Sequence, residues 1–395
     1  MKRILFAATA ALALGAQVSY AGGFMLMEQS AAGIGRANAG AGVFGDDASS
    51  AWFNPAGMTL MQGKHFQVGT ALGVIDAKYE SKRDRASDNA FDGIVPVPFM
   101  HTTLQLTDSL WAGLSIAVPF GMQTKYKDSF DARDRGIFAK VQTIDVNPSL
   151  AFKVNDAFSV GVGVSAQYGS MELRNGIRGT QAASKVKGSD VAWGVNAGVM
   201  FTPREDMRFG LAWRSSVKHD LDGHLYTTDS TVPFKTPQTV ILSGAWDINP
   251  QWTVAGTFRW SDWSVFKELP VNSRSGGQHL ANPTQENWKD CYLFSVGADY
   301  RYNDEWTFRA GTAYETSTIR EDKYRMTTVP DSSRLWLSVG ATWHASKQLQ
   351  CDVGYLFLHA IGSSPITESA ESTQVIGDYK RTNVHMFGVQ AMYSF

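Results

Sequence analysis

Phe158-Ser159-Val160-Gly161-Val162-Gly163-Val164-Ser165-Ala166-Gln167-Tyr168 alternates between larger apolar and small or polar side chains. Successive side chains of an extended strand point to opposite faces. Phe158, Val160, Val162, Val164, Ala166 and Tyr168 therefore share one face, and Ser159, Gly161, Gly163, Ser165 and Gln167 the other. One face suits hydrocarbon and the other a polar interior. The division recurs downstream, where Leu335, Leu337, Val339, Ala341 and Trp343 stand against Trp336, Ser338, Gly340, Thr342 and His344. At the C-terminus Phe387, Val389, Ala391, Tyr393 and Phe395 stand against Gly388, Gln390, Met392 and Ser394. A tilted strand of about ten residues crosses a bilayer. Trp111, Trp252, Tyr302, Trp306, Tyr314 and Phe395 sit at strand ends, where an aromatic girdle is expected.

The connections have a rhythm. Short turns fall at Thr107-Asp108-Ser109, Asn155-Asp156-Ala157, Pro203-Arg204-Glu205-Asp206, Ile248-Asn249-Pro250, Asn303-Asp304-Glu305 and Ser346-Lys347. Longer polar stretches lie near residues 80 to 96, 126 to 137, 175 to 188, 226 to 237, 267 to 287, 320 to 333 and 361 to 382. Short and long alternate, as they must when one rim carries turns and the other loops. An all-β chain of about fourteen such antiparallel strands has the pattern of a bacterial outer-membrane β-barrel. Soluble β-sandwiches usually carry fewer strands and lack the long-short rhythm.

The N-terminus fits export. Met1-Lys2-Arg3 is basic, residues 4 to 16 are apolar, and Ser19-Tyr20-Ala21 offers small residues before a cut at Gly22, so residues 1–21 read as a signal peptide. Beyond it no apolar run reaches about eighteen residues, which leaves strands to do the crossing. The 36 basic and 37 acidic residues balance, and give no electrostatic reason to expect a nucleic-acid partner. Cys291 and Cys351 open strands that start from opposite rims, so no bridge is expected across an apolar band about 25 Å tall. The eight histidines are scattered, and His219 and His224 lack accompanying zinc ligands. Neither catalysis, a metal site nor a cofactor is expected.

Residues 22–62 precede the first convincing strand and show no two-residue alternation. They are rich in Gly and Ala, with Phe24, Met25, Leu26 and Met27 near the start and Asn54-Pro55-Ala56 near the end. A compact element of this composition could plug the lumen that a barrel of this size otherwise leaves open. A disordered leader is the plainer alternative. Residues 63–395 read as the barrel.

Particular fragments carry a resemblance. In the plug they are Gly23-Phe24, Ser30-Ala31-Ala32-Gly33-Ile34-Gly35-Arg36-Ala37, Asp46-Asp47-Ala48 and Asn54-Pro55-Ala56. In the barrel they are Asn147-Pro148-Ser149-Leu150-Ala151, Trp260-Ser261-Asp262-Trp263-Ser264, Asn287-Trp288-Lys289-Asp290, Trp306-Thr307-Phe308-Arg309-Ala310-Gly311 and Pro330-Asp331-Ser332-Ser333-Arg334. In this order they make the chain similar to the FadL-type outer-membrane transporters of long-chain fatty acids and other hydrophobic compounds. The resemblance implies a hatch-plugged barrel that takes up hydrophobic molecules passively. Ligand would be captured by extracellular loops, reach an apolar pocket, and leave sideways into the membrane beside a kinked third strand as the hatch rearranges.

By that resemblance Gly23, Phe24, Asn54, Pro55 and Ala56 belong to the moving hatch, and Pro119, Phe120 and Gly121 to the lateral opening. Pro119 cannot donate a ladder hydrogen bond and Gly121 permits a bulge, although an ordinary bulge would explain both. Phe24 could reach the ligand or pack within the hatch. A fatty-acid carboxylate would favour a cation. Arg174 is a candidate through the resemblance, and Arg309 and Arg334, with Arg259, face the lumen by strand parity. The alternative for these three is a structural network with Asp46 and Asp47. Residues 175–188 and 226–237, where fatty-acid members carry long apolar loops, are short and polar here. Import of monoaromatic hydrocarbons by the same route therefore stays open, as does a general diffusion porin. The expected partners are the ligand and outer-membrane lipid or lipopolysaccharide, with the barrel working as a monomer.

Overall fold

The computed structural model describes residues 22–83, 87–90, 93–127, 129–177 and 182–395, so the expected signal peptide lies outside the described residues. Fourteen antiparallel strands form the wall. They are β1 (Lys64–Ser81), β2 (Ile94–Gln105), β3 (Leu110–Ala117, resuming as Gly121–Lys125), β4 (Phe138–Lys153), β5 (Phe158–Gly176), β6 (Ala183–Arg204) and β7 (Met207–Arg214, resuming as Lys218–Leu225). The rest are β8 (Thr228–Lys235, resuming as Thr239–Asn249), β9 (Trp252–Ser261, resuming as Glu268–Ser273), β10 (His279–Gln285, resuming as Cys291–Arg301), β11 (Trp306–Glu315), β12 (Arg334–His344), β13 (Leu349–Ala360) and β14 (Val375–Ser394). β1 pairs with β14 from His65–Ser394 to Ser81–Gly377, which closes the sheet.

The sequence parity places the two solvents correctly. Val162 is 59% exposed and Val339 56%, while Ser165 and Trp336, on the opposite faces of the same strands, are buried. No helix among the described residues is long and apolar enough to cross a membrane. Cys291 and Cys351 are both free.

Two loop expectations are corrected. Residues 226–237 are not a loop: the strands of β7 and β8 continue upward as a hairpin from Lys218–Lys235 to Leu225–Thr228, and Tyr226 turns it at φ 57°. Residues 267–287 likewise hold a hairpin between Glu268–Ser273 and His279–Gln285. Above the bilayer both strand faces meet water, so the apolar-polar contrast that reveals a strand is lost there.

Residues 22–62 lie largely buried inside the barrel. Helix α1 (Ala31–Gly35) starts at Ser30, whose hydroxyl caps the Gly33 amide, and it packs on β11 to β14. The approach is close: a Cβ on Gly340 would stand 2.7 Å from the Gly35 Cα. Helix α2 (Ser50–Phe53) is followed by a 3₁₀ turn, Pro55–Leu60, in which the Asn54 side chain accepts from the Ala56 amide and donates to Val199 O at 3.1 Å.

Candidate functional site

The wall is incomplete between β2 and β3. Their ladder runs from Gln105–Trp111 to Met100–Ile116 and stops. Residues 94–99 continue along β1, whereas β3 breaks over residues 118–120 and resumes against β4, from Gly121–Gln142 to Lys125–Phe138. Among the described residues no ladder joins these two edges. Higher up, Lys125 N–H donates to Ala90 O at 3.0 Å, so the gap is bounded above and below and forms a window. Val95, Val97, Phe99 and Met122, all buried, give its border an apolar character.

Sequence reasoning found Pro119 and Gly121 but missed the opposite edge. Leu106 N–H donates to Leu110 O across the β2–β3 turn. By the two-residue period, the amide positions of residues 98 and 96 also face β3. Both are proline in Ile94-Val95-Pro96-Val97-Pro98, so this edge has two fewer donors to leave unpaired. The signal was legible as two prolines within one strand.

The hatch supplies what β2 does not. Leu26 N–H donates to Pro119 O at 2.8 Å, and Gly121 N–H donates to Phe24 O at 2.9 Å. Residues 24–26 thus act as a short strand on the broken edge. Gln29 extends the contact: its Nε2 donates to Val118 O at 2.8 Å and its Oε1 accepts from Val118 N–H at 3.3 Å. His101 on β2 sits 2.9 Å from Gln29 O and 3.0 Å from Ser115 Oγ on β3, tying hatch and both strands together below the window.

The same segment fills an aromatic cage. The Phe24 ring lies 4.8 Å from Trp263, 5.7 Å from Phe234 and Trp288, and 6.2 Å from Phe120 and Phe266. Four of these rings come from the places where β8, β9 and β10 break or end, and Phe120 from the break in β3. Interrupted ladders free the wall to turn side chains inward. Trp288 Nε1 donates to Glu286 at 2.9 Å. Beside the cage, and sharing Phe120 with it, a cavity of about 50 Å³ lies between Met25–Met27, Trp52, Arg214 and Ile241. That holds a few waters at roughly 10–15 Å³ each. A ligand that enters the cage has to displace the Phe24 ring.

The predicted cations are dispersed. Arg309 is buried at the hatch floor, bonded to Asp299 at 2.9 Å, Asp352 at 3.1 Å and Asp46 of the hatch at 3.2 Å, while Arg36 holds Asp46 and Asp299. Below lies an open polar vestibule of about 940 Å³ reaching the short-turn rim. Asp47 does not join the arginines; it accepts from Ser30, Ser49 and Gln390. Arg334 pairs with Asp331 and Glu315, and Arg259 with Glu315. Arg174 is at the upper end of β5, 45% exposed at its side chain, beside Glu172 and over the Phe138 ring. Arg135, which sequence reasoning missed, is buried above the lumen on carbonyls alone, donating to Lys323 O and Arg325 O at 3.2 Å. Among the described residues it forms no ion pair, and no local motif marks it. None of the described His, Cys, Asp and Glu residues cluster in a way that could hold a metal ion.

A closed outer-membrane barrel with a plugged lumen and an apolar window through its side is a channel for molecules that travel better in lipid than in water. The chain belongs to the outer membrane protein transport family (OMPP1/FadL/TodX), whose model matches residues 12–395. It is 29% identical to a long-chain fatty acid transport protein of Escherichia coli O6:H1, over 98% of this chain and 97% of that one. It is 27% identical to outer membrane protein P1 of Haemophilus influenzae, over 88% of each. In fold it matches a Pseudomonas aeruginosa FadL homologue with a TM-score of 0.85, covering 94% of this chain and 100% of that one at 24% identity. The Ralstonia pickettii toluene transporter TbuX matches at 0.69 and 20% identity, covering 93% and 98%. The resemblance drawn from the sequence and the expected outer-membrane barrel both hold.

Proposed function

We propose that this protein carries long-chain fatty acids and similar hydrophobic molecules passively across the outer membrane. Ligand captured at the loop rim displaces Phe24 from the aromatic cage and leaves sideways through the window between β2 and β3. The observation that carries this reading is that Phe24, whose ring fills the cage, and Leu26 also provide the two backbone hydrogen bonds that hold the window edge. Emptying one loosens the other. Lateral release keeps the solute out of water, worth about 0.8 kcal/mol per CH₂.

For a carboxylate head we assign Arg135, which is buried and forms no ion pair among the described residues, ahead of Arg174. Arg309 and Arg334 serve the structural network, because their charges are already matched. Monoaromatic hydrocarbons are the second reading, favoured by a cage that holds a single phenyl ring edge-on to Trp263, Phe120 and Phe266. A diffusion porin is disfavoured by the filled lumen. The protein performs transport without catalysis, works as a monomer because plug and lumen share one chain, and meets lipopolysaccharide through its outer rim.

The test is uptake of radiolabelled oleate and toluene by cells that lack their own hydrophobic-uptake channel and express this chain, with Gly121→Leu as control. A Cβ on Gly121 would stand 3.0 Å from Leu26 Cδ1, so leucine wedges the hatch against β3. Oleate uptake lost in the control supports the proposal, and toluene-only uptake selects the second reading. Uptake of neither, with ion conductance intact, sinks both.

A further inference from the structure

A second charged cluster lies near the cage, apart from the floor network. Arg259, Glu315, Asp331 and Arg334 are buried, and Glu28 of the hatch is buried beside them with neither carboxylate oxygen hydrogen-bonded. Burial is the largest cause that pushes the Glu28 carboxyl up to about 7; Glu315 adds to it, while the nearby backbone amides of Glu28 and Met27 and the Arg259 guanidinium oppose it. With Glu28 ionised, three carboxylates face two guanidiniums, and its raised pKa means that it sheds this excess charge by taking up a proton unless another cation is present. Leaving a charge buried and unpaired is strongly destabilising.

Gly22 sits at this cluster. A Cβ on it would stand 2.7 Å from Glu315 Oε1, 3.0 Å from Cys291 Sγ and 3.1 Å from Arg259 Nη2. Its nitrogen is bonded to that same Cα. Gly22 and Gly23 have φ of 46° and 74°, and a Cβ on Gly23 would stand 3.0 Å from Trp263, so a glycine turn takes the chain from the cluster to Phe24.

We propose that the acid cluster binds a primary ammonium, namely the α-amino group of Gly22 freed by signal-peptide removal, and that this buried ion pair seats Phe24 in the cage. Hydrolysis of the Ala21–Gly22 peptide bond leaves a carboxylate on Ala21 and an amine on Gly22, which takes up a proton. Before the cut the nitrogen is a neutral amide, and the cluster balances only by protonating Glu28. After it the ammonium lets Glu28 stay ionised with the charges balanced, so processing is a precondition for seating the plug in this way. The inference rests on the processing expected at residue 21 and is independent of which ligand is carried.

The experiment is intact-mass measurement of the protein purified from outer membranes, followed by acylation of its α-amine near neutral pH, folded in detergent and denatured. The expected result is a chain beginning at Gly22 whose α-amine reacts about tenfold or more slowly when folded, since an ammonium held by carboxylates yields less free amine. Glu28→Gln should recover much of the denatured rate. A variant carrying two alanines between Ala21 and Gly22, cut at the same place, should show ion conductance raised several-fold. An α-amine that reacts equally fast in both states overturns the proposal, and so does a mature chain that begins elsewhere. Both outcomes leave the uptake experiment, and the transport reading, standing.

Discussion

β5 and β6 pair without interruption through nineteen residues each, from Phe158–Phe201 to Gly176–Ala183. β2 and β3, a quarter of the barrel away, pair over six, from Gln105–Trp111 to Met100–Ile116. Both pairs cross the same membrane and meet the same hatch. Along β5 the hatch contributes packing: a Cβ on Gly161 would stand 2.7 Å from the Pro55 carbonyl carbon, and the strand needs no backbone partner beyond its neighbours. Along β3 the hatch contributes hydrogen bonds that the wall itself lacks. Hatch removal should therefore leave one side a wall and make the other a door. In lipid an unpaired backbone group costs several kcal/mol, so the door stays shut until something else covers that edge.

The largest expected effect separates the hatch floor from the rim. Arg309→Met leaves Asp46, Asp299 and Asp352 without their shared guanidinium and should cost about 3–5 kcal/mol. Arg174→Met, at an exposed pair, should cost under about 1 kcal/mol. Thermal unfolding in detergent measures both, and equal losses would show that the floor is not the tighter attachment. Next comes Phe24→Ala. Emptying the cage should weaken hatch seating by about 3 kcal/mol. Amide exchange at Gly121 should then rise roughly a hundredfold while that of β5 and β6 holds. A matching rise in β5 would mean that the hatch supports the whole barrel rather than the window.

Legibility followed contrast. Strand parity was readable wherever one face meets lipid, as in Phe158–Tyr168, and it failed in Lys218–Lys235, where both faces meet water. The break in β3 was readable because Pro119 has no amide to donate to a ladder and Gly121 tolerates a bulge. The cage was not readable: Phe120, Phe234, Trp263, Phe266 and Trp288 are far apart in sequence, and each alone looks like a girdle or core aromatic. They converge only because the ladders break near one level of the wall, a tertiary fact with no local pattern. Arg309 was visible as lumen-facing, but its three carboxylate partners come from three different segments.

Gln29→Ala tests the edge of the door more gently. It removes both side-chain hydrogen bonds to Val118 and should cost about 2 kcal/mol, because a buried carbonyl and amide lose their partner. Exchange at Val118 should quicken by roughly tenfold or more while the Phe24 cage contacts persist. Unchanged exchange would show that the two backbone bonds from residues 24–26 hold the edge alone.

The smallest effect comes from giving β2 its donors back. Pro96→Ala with Pro98→Ala adds two amides on the side that faces β3, each worth about 0.5–1.5 kcal/mol if paired. Within the intact hatch they find no ladder partner, because Pro119 and Gly121 are already bonded to residues 24–26. Once ligand draws the hatch away, the two edges compete for each other, and closing the ladder competes with release. Resting stability should therefore change little, while oleate uptake falls by a factor of a few. If uptake is unchanged although both new amides become protected from exchange, the edges have zipped without consequence and ligand does not leave between β2 and β3.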